Sequence, residues 1–195
     1  MTAALITPPK QLIRIAPGLT LTSDLYEVAA AGVVEHTPDL APLRWEDFIS
    51  RQWTLVPDEL TGEPYKAELR LSKFSGLNYW LAPDRRGGEV SKWHNHPWDF
   101  HSATLGGLLV EDRIVRADGK FVYTPGVEHR TGDINHVGRE VFHEVIDVEP
   151  GSMTYMMYGP GMNHWGYLDA DGNYTKAVPP KGFLTRLREL NPHQR

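Results

Sequence analysis

The residues best equipped for chemistry are packed into Trp93-His94-Asn95-His96-Pro97-Trp98-Asp99-Phe100-His101, answered some forty residues later by His143 in Val141-Phe142-His143-Glu144-Val145. Side chains at i and i+2 of an extended strand leave the same face. His94 and His96 can therefore grip one divalent ion side by side. A third imidazole from another strand, His143, would complete three neutral ligands and leave open positions, as a catalytic metal site requires. Three neutral imidazoles bring no compensating negative charge. The ion keeps its 2+ charge, attracts anions and lowers the pKa of bound water.

His101 is the expected fourth participant, either as a further ligand or through a hydrogen bond to water or substrate. His36, His129 and His193 read as structural or surface residues, and His136 and His164 are weaker candidates than His101. Asp99 and Glu144 are placed to orient ligand imidazoles, which usually donate their second N–H to a carboxylate or carbonyl. Trp93 and Trp98 read as core or pocket wall, and Met153, Met156 and Met157 as packing. Fe(II) suits such a site best, and Zn, Ni or Mn would bind the same set.

These residues need a scaffold. The chain has 195 residues, 41% hydrophobic and 23% charged, enough for one soluble domain with a substantial core. A formal charge of −5 and a pI near 6, with no Lys/Arg-rich block, exclude a nucleic-acid footprint. The chain has no cysteine, which removes disulfides, zinc-thiolate sites and a cysteine nucleophile. No basic-then-apolar leader stands at Met1–Thr20 and no run of eighteen apolar residues occurs, so the expectation is a cytoplasmic protein without membrane contact.

Residues 1–33 read as an arm or peripheral strands. Pro38–Arg51 reads as the early helix, with shorter helices around Pro57–Thr61 and Leu184–Leu190. From Tyr65 onward, strand-like pieces alternate with turn signals such as Ala117-Asp118-Gly119, Thr124-Pro125-Gly126 and Glu149-Pro150-Gly151. The pattern predicts an antiparallel sandwich or small barrel. A single domain over 1–195 is expected, with a barrel core over 65–175, an N-terminal arm and helix over 1–64 and a C-terminal tail over 176–195.

The motifs resemble those of the cupin superfamily. Gly88 stands six residues before the His94-x-His96 pair, with His101 where the first motif's glutamate would fall and Gly107 one residue early. Gly132-Asp133 and His143 keep the spacing of the second motif, while Gly138 and Glu140 replace its proline and glycine. The resemblance implies an all-β fold with minor helices, a cupin-type antiparallel β-barrel or double-stranded β-helix. A partial likeness extends to thiol dioxygenases of the cysteine-dioxygenase type, through Phe142-His143-Glu144-Val145, the run Ser152–Pro160 and the turn Asp169–Gly172. It implies that Tyr158 assists substrate and oxygen at the iron, and that Arg70 holds a substrate carboxylate. Thr154 and Met156 replace that family's serine and histidine, and His101 stands where some members carry a cysteine.

The expected function is an Fe(II)-dependent cupin oxygenase acting on a small, carboxylate-bearing metabolite with O2. Tyr158, His101 and Arg70 are its catalytic side chains; His94, His96, His143 and His101 are its metal ligands. A homodimer is compatible with this reading. The alternatives are a non-redox metal-dependent isomerase or lyase, and a small-molecule-binding cupin without turnover.

Overall fold

The computed structural model describes residues 12–16, 19–50, 52–86, 88, 90–161 and 165–194. A hairpin, β1 (Leu12–Ala16) and β2 (Leu19–Thr22), leads into helix α1 (Ser23–His36) and a single turn, α2 (Trp45–Phe48). Strands β3 (Thr54–Pro57), β4 (Pro64–Ser72), β5 (Ser75–Trp80), β6 (Trp93–His94), β7 (Phe100–Gly106), β8 (Leu108–Ala117) and β9 (Lys120–Arg130) follow. The chain then forms β10 (Ile134–Val137), β11 (Phe142–Val148), β12 (Met153–Tyr158), β13 (Gly166–Leu168), β14 (Tyr174–Lys176) and helix α3 (Phe183–Leu190), closed by a 3₁₀ turn at Pro192–Gln194.

The strands make two antiparallel six-stranded sheets, ordered β10-β7-β12-β5-β4-β3 and β14-β13-β6-β11-β8-β9. The eight strands β5 to β12 are distributed between the sheets in the order of a jelly roll, with β5-β12-β7-β10 in one and β6-β11-β8-β9 in the other, two Greek keys folded over one interior. This is the all-β, cupin-type barrel that the turn spacing and motifs predict. Its tight turns use the expected residues: Asp118 and Gly119 both take positive φ (48° and 76°) to join β8 to β9.

The helices differ from expectation. Residues 23–33, read as part of the arm or peripheral strands, belong to the longest helix among the described residues, Ser23–His36, started by Thr22, whose hydroxyl accepts the Leu25 N–H at 3.2 Å. Pro38–Arg51 yields only the turn at Trp45–Phe48, because Pro42 interrupts any longer helix there. At Pro57–Thr61 the Asp58 carboxylate accepts the Leu60 and Thr61 N–H groups, an Asx turn instead of a helix. The C-terminal helix is present.

The largest apolar core lies outside the barrel, between the first sheet and the N-terminal helices. Leu69, Leu77, Ala103, Met153 and Tyr155 on the sheet's outer face pack with Tyr26, Ala29, Ala30, Val33 and Phe48. Cross-strand pairs place Glu68 with Asn78, Asn78 with Thr154, and Thr154 with Thr104 on the opposite, inward face. The barrel interior therefore sets these polar side chains among Trp80, Phe100, Leu109, Val145 and Met156.

Candidate metal centre

β6 and β11 are neighbours, and their single register pair sets His143 directly opposite His94. His96 lies two residues beyond His94 and returns to the same face. The three imidazoles form a near-equilateral triangle, with ring centroids 5.0 Å (His94–His96), 4.9 Å (His94–His143) and 5.1 Å (His96–His143) apart. One ligand atom from each lies within 4.8 Å of the others. His96 Nε2 and His143 Nε2 are 2.9 Å apart, close to the roughly 3 Å that separates two nitrogens sharing one first-row ion.

The donor set fits a metal on two further counts. His94 is 1% exposed, and among the described residues its Nδ1 has no hydrogen-bond partner and its Nε2 has Asp84 Oδ2 at 3.8 Å. A buried imidazole left this way is poorly satisfied by protein alone. The protonation state also suits coordination. Burial, followed for His94 by the charge of Arg86 and for His96 by His143, holds both pKa values well below the usual histidine range, so these rings are neutral.

Glu111 on β8 orients His143. It is 2% exposed, and its Oε2 accepts His143 Nδ1–H at 2.8 Å, which directs Nε2 into the site. Its Oε1 accepts from His129 Nε2 at 3.0 Å, from Asn135 Nδ2 at 3.1 Å and from Arg113 Nε. Burial by itself would raise the Glu111 pKa, but the hydrogen bonds from His129 and His143 outweigh it and keep the carboxylate ionised. Sequence reading missed Glu111 and took His129 for a structural residue. The only available signal, a carboxylate on a strand pairing with β11, requires knowledge of the pairing. Asp84 is a second unforeseen carboxylate, 4% exposed and clamped by both Arg86 nitrogens at 3.0 and 3.2 Å.

The other sequence candidates divide. His101 is exposed on the outer face of β7, between inward-facing Phe100 and Ser102, and its ring lies 4.2 Å from that of His136 on β10. It is outside the ligand triangle, because strand alternation aims neighbours of Phe100 away from the interior. Alternation equally turns Glu144 from the site, where it accepts the Lys92 N–H at 3.4 Å, and Asp99 pairs with Arg139 at 2.7 Å. Tyr158 and Arg70 stand on the inward-facing rows of β12 and β4, at the barrel rim. The Arg70 guanidinium lies 4.8 Å from the Tyr158 ring centre, and Trp98 links that ring, at 5.6 Å, to His96, at 6.2 Å. His164 lies outside the described residues.

A cavity of about 60 Å³ opens beside the histidines, lined by Asn78, Ser102, Thr104, Thr154 and Met156 among others. None of the helices in the described residues is long and apolar enough to cross a membrane.

No family model matches the chain, and no curated protein does. Among solved structures it is similar to HEPD of Streptomyces albus with 2-hydroxyethylphosphonate and Fe(II) bound (14% identity, TM-score 0.41, 57% of this chain and 25% of that one). It is also similar to Fe(II)-HppE with an alternative substrate, (S)-1-HPP (12%, 0.41, 63% and 61%), and to the cupin domain of Drosophila melanogaster CENP-C (10%, 0.36, 70% and 96%). The chain thus spans about a quarter of HEPD's length.

Proposed function

We propose that the chain is a mononuclear non-haem oxygenase, dependent on Fe(II), acting on a small carboxylate-bearing metabolite. The observation that carries this reading is the triangle of buried His94 and His143 with half-buried His96, two of its rings held neutral and the third aimed by Glu111. When bound there, a divalent ion supplies a Lewis-acidic centre with open positions and, as Fe(II), reactivity toward O2.

The protein's own groups shape what reaches that centre. Phe100 packs edge-on against His96 at 4.9 Å, and the Trp98 ring lies 6.2 Å from it, so aromatic side chains adjoin the centre. Tyr158 makes no side-chain hydrogen bond to the described residues, so its hydroxyl is free to donate to substrate. Burial raises its pKa, which keeps it protonated at neutral pH. Arg70, over the same ring, offers a cation at the rim for a carboxylate.

The test is oxygen uptake by the Fe(II)-loaded protein with thiols, amino acids and small aromatic acids, repeated with Zn(II). Substrate-dependent uptake with iron alone supports the oxygenase. Turnover without oxygen would replace it with a Lewis-acid isomerase or lyase. Absence of turnover, with ligand binding indifferent to chelation, would leave a binding protein.

A further inference from the structure

A second, larger space lies against the metal centre. It is a cleft of about 410 Å³ between the barrel mouth and α3, within the roughly 300–1,000 Å³ typical of small-molecule sites. Lys66 and His96 line both this cleft and the small cavity beside the ligands, so the two spaces share a wall. Trp98, Trp165, Phe183 and Leu187 supply an aromatic and aliphatic lining.

The charged groups at this wall are not equally available. Arg86 is committed to Asp84 through two nitrogens and to Glu59 at 3.3 Å. Among the described residues Lys66 makes one ion pair, with Glu68 at 2.9 Å, and lies 5.4 and 5.5 Å from the ring centres of Tyr65 and Trp80. An ammonium has three donors, so Lys66 retains capacity for a ligand oxygen. Asn78, 2% exposed in the adjoining cavity, has an Oδ1 with no hydrogen-bond partner among the described residues. Four carboxylates (Glu59, Glu68, Asp84, Glu111) and two basic side chains (Lys66, Arg86) line the two spaces. A divalent ion on the histidines offsets that excess of negative charge, leaving Lys66 to meet an anion.

We propose that this cleft binds an aromatic carboxylate, with its ring among Trp98, Trp165 and Phe183 and its carboxylate on Lys66 beside the metal centre. The inference rests on the metal reading and deepens it by naming the substrate class. It moves the anion anchor from Arg70 at the rim to Lys66 at the shared wall.

The test is binding to the Zn(II)-loaded protein, which needs no turnover. 3-Phenylpropionate is titrated against intrinsic tryptophan fluorescence and by calorimetry, with phenethylamine and acetate as comparators. Saturable binding of phenylpropionate is expected, with both comparators at least about tenfold weaker, since one lacks the charge and the other the ring. Lys66→Gln is expected to weaken it about tenfold or more, and Lys66→Arg by only a few-fold, as fits loss or retention of one charged contact. Phe183→Ser, on the C-terminal helix, should weaken it several-fold and decides the matter if the Lys66 variants do not fold. No binding, equal affinity for the amine, or a wild-type titration by Lys66→Gln would overturn the proposal. Lys66-dependent binding without oxygen uptake by the iron form would leave this site standing and remove only the oxygenase. Oxygen uptake with a substrate, without aromatic-acid binding, would do the reverse.

Discussion

Glu111→Gln removes one charge without changing shape, and the structure says what should follow. Three donors (Arg113 Nε, His129 Nε2, Asn135 Nδ2) converge on Oε1, and one, His143 Nδ1–H, on Oε2. A glutamine has one acceptor oxygen and one NH2 group. With its oxygen at the Oε1 position it satisfies three donors and turns its NH2 on His143. The opposite orientation sets NH2 against three donors and is worse. In the better orientation His143 Nδ1 must become the acceptor, so the imidazole proton moves to Nε2. That nitrogen lies 2.9 Å from His96 Nε2 and must be bare to bind metal. Loss of such an orienting partner typically costs about 10–100-fold in metal affinity, equivalent to about 1.4–2.7 kcal/mol. The assay is competition for Zn(II) against a chromophoric chelator, with circular dichroism to show that the variant is folded. Glu144→Gln is the control, since Glu144 adjoins His143 in sequence but faces away. A folded Glu111→Gln protein with affinity within about twofold of wild type would refute the orienting role, given the size of effect such partners usually have.

Three further outcomes are expected. His96→Ala should purify and reconstitute without metal, whereas His101→Ala should retain full stoichiometry by elemental analysis, because His101 is exposed beside His136. Gly107→Ala should lower stability by about 1–3 kcal/mol in denaturant titration, because φ there is +86° and a Cβ would overlap Ser152. Tyr158→Phe should change stability by less than about 0.5 kcal/mol, as its hydroxyl has no hydrogen-bond partner among the described residues, while lowering turnover on the order of 10²-fold if it serves as a proton donor.

How far the site was legible depends on whether its geometry is local. The His94/His96 pair needs only the two-residue period of a strand, and His143 needed only a motif at its expected distance. Both are local signals. His101 failed because motif spacing does not say which face a residue takes, and the register of β7 puts it beside Phe100, on the outside. Glu111 was invisible because its bond to His143 spans 32 residues and exists only through the pairing of β8 with β11. The barrel strands announced themselves through their turns. Helix α1 did not, because its buried positions include Ala29, Ala30 and Gly32, which carry little apolar contrast. Their smallness is a packing requirement: a Cβ on Gly32 would lie 2.5 Å from Leu105 Cδ2, so the helix sits close to the sheet.

That helix explains why the barrel interior can be given over to chemistry. With the main apolar core outside the first sheet, adjacent residues of β5 have opposite duties. Leu77, 0% exposed, packs under the helices, and Asn78, 2% exposed, faces the cavity with an unpartnered amide oxygen. Leu77→Ala should cost about 2–5 kcal/mol, the usual range for truncating a fully buried leucine. Asn78→Leu should be neutral or stabilising by up to about 2 kcal/mol, because a buried amide oxygen with no hydrogen-bond partner is unfavourable to begin with. The same change should fill the space beside the histidines and weaken occupancy by any ligand, so stability and binding move in opposite directions. Urea denaturation of the metal-free proteins gives both values on one scale. If Asn78→Leu lost as much stability as Leu77→Ala, the cavity wall would be part of the structural core, and the division between a supporting outer layer and a reactive interior would fail.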